Sequence, residues 1–101
     1  GVIRNAAEAV KWYRLAAEQG LAEAQHDLGA CYANGAGVIR DAAEAVKWFR
    51  LAAEQGHAEA QHNLGVCYKN GIGVIKDTAE AEKWFRLAAM QRNINAIDNN
   101  P

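Results

Sequence analysis

Apolar and polar positions along this chain recur at helical spacing, and the pattern as a whole recurs every 36 residues. Aligning Gly1–Ala36 with Gly37–Ile72 leaves seven mismatches: Asn5/Asp41, Tyr13/Phe49, Leu21/His57, Asp27/Asn63, Ala30/Val66, Ala33/Lys69 and Ala36/Ile72. A third copy begins at Gly73 and keeps its register through Gln91. Periods of about 20–50 residues belong to stacked units that are each too small to bury an apolar face alone. The pattern therefore predicts a solenoid rather than one closed core.

Within the second copy, Asp41-Ala-Ala-Glu44 predicts a capping box. The Asp side chain accepts backbone N–H groups, and the Glu three residues on reaches back. The same signal recurs as Asn5…Glu8 and Asp77…Glu80. The spacing predicts helices over 5–19, 22–34, 41–55, 58–70 and 77–91. Gly56 supplies a left-handed C-terminal position, Asn70-Gly71 closes the next helix, and Gly71–Ile75 links to the following unit. No strand-type alternation occurs, and the only proline is Pro101. At about 100° per residue, the first helix of this copy buries Ala42, Ala45, Phe49, Ala52 and Ala53. Val46 and Trp48 flank that stripe, while Lys47, Arg50 and Glu54 point to solvent. The second helix buries Ala60, Leu64, Cys67 and Tyr68. Gly65 and its counterpart Gly29 each cost about 1 kcal/mol inside a helix. They imply a second helix backbone passing too close for a β-carbon.

In the third copy Val10 and Val46 become Glu82, Glu54 becomes Met90, Gly56 becomes Arg92 and Leu64 becomes Asn100. Burying an unpartnered charge is costly, so Glu82 is expected at the surface, with the Val10/Val46 side facing the following repeat. Residues 93–101 are expected to form a degenerate C-terminal cap, a turn or short helix that lays Ile94, Ala96 and Ile97 over the last apolar groove and ends the array. Gly1 falls in register with Gly37 and Gly73, as in a chain taken from a longer array. The helix near Ala6–Glu18 is then expected to expose Ala6, Ala9, Trp12 or Tyr13. That face predicts self-association, as a symmetric homodimer.

The segments AEAQHDLGACYANGAGV at 22–38 and AEAQHNLGVCYKNGIGV at 58–74 are each followed by a stretch of the type D-x-x-E-A-x-K-W-F-R-L-A-A-E-Q-G. They resemble the Sel-one-like repeat (SLR) family, relatives of the tetratricopeptide repeats, over nearly the whole chain. The resemblance implies an all-α fold, a right-handed α–α superhelix of antiparallel helix pairs in a single solenoid domain, 1–101. It implies a non-catalytic scaffold or adaptor whose partners are other proteins or peptides. A secreted, cysteine-rich branch of the family staples each helix pair with two cysteines per repeat, and β-lactam binding or hydrolysis has been proposed for some of its members. This chain carries one cysteine per repeat, Cys31 and Cys67, and lacks that staple. A structural or self-associating spacer is the other alternative.

The resemblance also implies that the second helix of each pair, in this register, lines the inner face. Its outward arc comprises Glu23, His26, Asp27, Ala30, Ala33 and Asn34, then Glu59, His62, Asn63, Val66, Lys69 and Asn70. Three of the seven mismatches fall there, at 27/63, 30/66 and 33/69. A ligand-tuned surface shows such variation, and so does an unconstrained surface after duplication. On the first reading, replacing Asn63, Val66 and Lys69 together weakens partner binding and leaves helical content intact. Leu15, Leu51 and Leu87, beside Trp12, Trp48 and Trp84, read either as an outer apolar ridge or as partly buried junction residues.

Composition narrows the partners. Net charge is −1, from 11 basic and 12 acidic residues interspersed, so no basic field exists to attract nucleic acid or a membrane surface. No stretch resembles a transmembrane span or a signal peptide. Neighbouring helices lie about 8–10 Å apart, whereas a disulfide needs Cα atoms within about 7 Å. Two buried, unpaired thiols follow, which fits a reducing compartment such as the cytoplasm. No cofactor, metal or catalytic residue is predicted. His26 and His62 each precede a cysteine by five residues, roughly 140° around the helix, so the His and Cys of one repeat cannot share a metal; a cross-repeat His26/His62 pair is the weaker alternative to exposed helix histidines. The link Gly35-Ala-Gly37 lacks the lysine and strand of a phosphate loop. His26 and His62 read as exposed helix positions, and His57 as a turn residue without a partner.

Overall fold

The structure, a computed structural model, describes residues 5–98. These form five helices: α1 (Ala6–Glu18), α2 (Ala22–Asn34), α3 (Ala42–Glu54), α4 (Ala58–Asn70) and α5 (Thr78–Asp98). Each packs on the next in chain order, giving a slab of 41 × 35 × 19 Å.

The helix starts are built from the expected cap residues, with one substitution of partner. Asn5, Asp41 and Asp77 accept the N–H groups of Glu8, Glu44 and Glu80 at 2.8, 3.1 and 3.0 Å. The reciprocal arm of the capping box is not used. The amides of Asp41 and Asp77 donate instead to the carbonyls of Tyr32 and Tyr68, both at 2.9 Å. One bond thus satisfies a carbonyl stranded at the end of one helix and the amide that opens the next. Glu44, released from capping, pairs with Lys47 at 3.1 Å.

The links demand glycine at two points. Gly37 and Gly73 adopt φ of +76° and +71°. A β-carbon there would stand 2.3 and 2.4 Å from the carbonyl oxygens of Ala6 and Ala42. Both conformation and space exclude a side chain.

Packing runs across unit boundaries. Val10, Ala17, Ala24 and Leu28 cluster with Trp48 of the following unit. Val46, Phe49, Ala52, Ala60 and Leu64 cluster in turn with Trp84. Val46 and Trp48 are therefore core residues rather than flanks, while Ala42 and Tyr68 are half-buried. Arg50 does not point to solvent: it is half-buried and donates to the Tyr68 hydroxyl, as Arg14 does to Tyr32. What crowds Gly29 is chiefly a ring. Phe49 lies 2.8 Å from where its β-carbon would stand, with the Ala45 carbonyl at 3.2 Å, and Phe85 sits on Gly65 at 2.7 Å.

The last helix departs from expectation. In place of a break near Gln91 and a folded cap, α5 runs unbroken for 21 residues against 13 in each other helix. At the equivalent positions Gly20 and Gly56 take φ of +92° and +89° and turn the chain back. Arg92 is a good helix former without that freedom, so the helix continues. Without a turn, Ile94, Ala96 and Ile97 do not cover a groove; all three are exposed. Asn99–Pro101 of that segment lie outside the described residues. Glu82 is exposed where Val10 and Val46 are buried.

The junction tryptophans should dominate stability. Trp48 is 7% exposed and its counterpart Trp12 58%. Trp48→Ala is expected to cost about 3–5 kcal/mol, and Trp12→Ala less than about 0.5 kcal/mol, read from urea midpoints under two-state conditions.

Candidate functional site

Helices α2 and α4 hold the same position in successive units and face the same side, with α3 packed against both. Between them runs a groove of about 310 Å³. Ala30, Ala33, Asn34, Asn63 and Val66 from the expected arc line it. Arg40, Phe49, Cys67 and Ile72 complete it from the link, from α3 and from deeper on α4. Sequence reasoning did not place these four in the site, because three were assigned to core or link and Arg40 to no element. The one usable signal was that Gly35–Asp41 and Gly71–Asp77 must return past the C-terminal ends of α2 and α4.

The rest of the arc divides. Glu23 and Glu59 are exposed near the N-terminal ends of the two helices, and Asp27 is half-buried one turn on. Lys69 and Asn70 are exposed beyond the groove, with Lys69 lining a separate hollow beside Glu82 and Phe85. His62 is exposed, its ring 5.3 Å from Phe85.

His26 is not an exposed helix histidine: it is 8% exposed. The next unit covers it, its ring stacking on His57 at 4.9 Å and lying tilted against Phe49 at 5.7 Å. Its Nε2 meets the Asn63 amide at 3.0 Å, and its Nδ1 faces Asp27 Oδ1 at 3.5 Å. His57 is not partnerless either. As N-cap of α4 it accepts the Ala60 N–H on Nδ1 at 3.1 Å, which places its proton on Nε2, 3.0 Å from Glu23 Oε2. Leu21, at the same place before α2, gives no side-chain cap. Asn63 is thus a half-buried joint residue, and replacing it would disturb the stacking of units as well as the groove.

A glutamine network lies behind this joint. Gln55 Nε2 donates to the Gly20 carbonyl and to Gln25 Oε1, both at 2.9 Å, and Gln25 Nε2 donates to the Ala17 carbonyl at 3.2 Å. In the last unit Gln91 is helical and donates to Asn95 instead, and Gln61 Oε1 is buried without a partner among the described residues. Of the two readings of the Leu/Trp pairs, a continuous outer ridge does not form, since Trp48 and Trp84 are buried and Leu87 is half-buried; Leu15 is exposed beside the exposed Trp12, and Leu51 is exposed without its tryptophan.

Cys31 and Cys67 are free, and Cys31 is half-buried rather than buried. Burial pushes both thiols up, and the nearby Asp27 carboxylate adds to the effect at Cys31. Among the described residues no group of three or more His, Cys, Asp or Glu side chains is placed to hold a metal ion. No described helix is long and apolar enough to cross a membrane.

Stacked antiparallel helix pairs whose faces, rather than an enclosed pocket, carry the available chemistry define a helical-repeat solenoid. Within that class the chain belongs to the Sel1 repeat family, whose model matches residues 1–21, 22–57 and 58–93. The family's unit starts at Ala22 and Ala58, pairing α2 with α3 and α4 with α5, one helix out of step with the units counted from Gly1. The chain is similar to a crystal structure of a protective antigen of uropathogenic Escherichia coli strains displaying an SLR fold. Identity is 49% and the TM-score 0.85, over 86% of this chain and 19% of that one. A Sel1 repeat protein from Oxalobacter formigenes is 48% identical, with a TM-score of 0.86, over 90% of this chain and 37% of that one. The chain therefore spans well under half the length of either. No curated protein matches it.

The raised thiol pKa values lower the thiolate fraction at any given pH. Both cysteines should alkylate more slowly than a free thiol, with Cys67, the more buried, slowest. Iodoacetamide time courses on Cys31→Ala and Cys67→Ala measure the order.

Proposed function

We propose that this chain is a protein-interaction module that takes a segment of another protein into the groove between α2 and α4. Repeats of this family generally mediate protein–protein interaction. The supporting observation is the make-up of that groove. Its walls are small or aliphatic at Ala30, Ala33 and Val66, its floor includes the Phe49 ring, and Asn34 at its edge is free to bond a backbone. Ala30/Val66 and Ala33/Lys69 are also positions where the copies differ, whereas Val10/Val46, Ala24/Ala60 and Leu28/Leu64 are identical and buried in both copies. A shallow groove of this kind suits a segment anchored by a few side chains rather than a small substrate held on all sides.

The groove reading is tested with short random peptides displayed on phage. Peptides enriched on the wild-type chain should lose at least ~10-fold in affinity, about 1.4 kcal/mol, for Ala30→Arg/Val66→Arg. Helical content should be kept, since both residues are half-buried and Ala30 packs only on the edge of the core. Equal binding to the double variant excludes the groove.

A second reading concerns α1, whose outer face leaves Trp12 exposed where Trp48 and Trp84 are covered. A hollow of about 640 Å³ borders it at Ala7, Val10 and Lys11. Head-to-tail stacking of two chains would set that face against Glu82 in place of a valine and bury a carboxylate. Pairing two α1 faces about a twofold axis avoids this cost. Light scattering should show a mass rising above 11.0 kDa with concentration, and Trp12→Glu should hold it there. A constant mass in the wild type rejects the dimer.

A further inference from the structure

We propose that the segment taken by the α2/α4 groove carries an aliphatic side chain and, about three residues away, a lysine or arginine; this rests on the interaction reading above. The aliphatic group sits between Ala30 and Val66. The cation lies toward the N-terminal ends of the same two helices, among Glu23, Asp27 and Glu59.

Two hollows on one pair of helices carry this assignment. The first is the groove at Ala30 and Val66. The second, of about 450 Å³, lies at the N-terminal ends and is lined by Glu23, Glu59, Gln55 and His57. Ala30 and Val66 each follow their glutamate by seven residues, about 10 Å of helix. A chain in the polyproline II conformation, with about three residues per turn and about 3.1 Å of rise per residue, crosses that distance in about three residues and returns the side chain to the same face. A segment anchored at Ala30/Val66 therefore brings its next but two side chain to the acidic hollow.

The charge there is uncompensated by any strong cation. Among the described residues, the ion-pair partners of Glu23, Asp27 and Glu59 are only His57 and His26. Helix α2 contains no lysine or arginine. Of the cations on neighbouring elements, Arg14 and Arg50 bond tyrosines, Lys47 pairs with Glu44 and Lys83 with Glu80; Lys11 on α1 and Arg92 on α5 are exposed and pair with none of the three carboxylates. The glutamate side chains remain 80% and 69% exposed, so they meet a partner's cation without being stripped of water first. At the opposite end of the groove Arg40, whose Nε donates to the Ala33 carbonyl at 3.1 Å, repels a cation. Lys69, exposed on the last turn of α4, adds to this. The groove is acidic at one end and basic at the other, which fixes the end toward which a bound segment carries its cation.

The peptides enriched on the wild-type 101-residue chain test this directly. They should contain a lysine or arginine about three positions from an aliphatic residue, in either chain direction. Their affinity should fall about tenfold or more for Glu23→Gln/Asp27→Asn/Glu59→Gln and should weaken with added salt. Glu59→Lys alone, at an exposed position, should act in the same sense if the triple variant loses helical content. If binding is lost in Ala30→Arg/Val66→Arg but kept in both acidic-end variants, the groove stands and the cation assignment falls. If neither set of variants matters, or no peptide is enriched, both fall.

Discussion

The seating of Phe49 on Gly29 is the contact on which the rest of this structure depends. Because α2 has no β-carbon at that point, the ring enters the helix surface and fixes how closely α3 approaches. The same ring is the floor of the α2/α4 groove and one wall of the site that buries His26. Spacing between helices, depth of groove and packing of the interunit joint are therefore set by one aromatic residue. Phe85 repeats the contact on Gly65, but nothing described lies beyond it, so that ring is only half-buried. The glycine's weak helix propensity is offset by what it admits.

Much of the fold was legible because stacking imposes the same demand on each unit. Asn5, Asp41 and Asp77 announce helix starts from local sequence alone, and the period shows in every one of them. The site was only partly legible. A helical wheel finds which residues of α2 and α4 share an arc, and Ala30, Asn34, Asn63 and Val66 do meet in the groove. It cannot say which part of the arc the next unit covers, since that depends on the angle between units. His26 was misplaced for this reason, and His57 could not be recognised as its stacking partner. The Arg50–Tyr68 pair and the glutamine network lie between elements, outside the reach of any one helix's periodicity. For α5 the informative residue, Arg92, was visible; its effect was to prolong the helix instead of degrading the unit.

Among the described residues, the buried polar side chains sit at joints. Gln25, Gln61 and His26 are the buried polar residues, and each bonds a carbonyl or side chain of a neighbouring element. Alanine and a few large rings fill the remainder, so directional bonds, more than bulk, set the register of unit on unit. Groove residues are freer: Ala30 packs on the edge of the core without entering it, and Val66 is half-buried. A scaffold of this type can keep its joints fixed while the groove changes.

The position of Gly37 against Ala6, repeated by Gly73 against Ala42, bears on how such a gene can change in length. Each link glycine fits only beside the first turn of the helix that opened the preceding unit. A codon gained or lost between the two moves the glycine off that spot and drives a side chain into a carbonyl. An insertion or deletion between the two therefore strains the link, whereas a change of one whole unit keeps each glycine beside its carbonyl. The links thus tolerate changes of length in steps of one repeat.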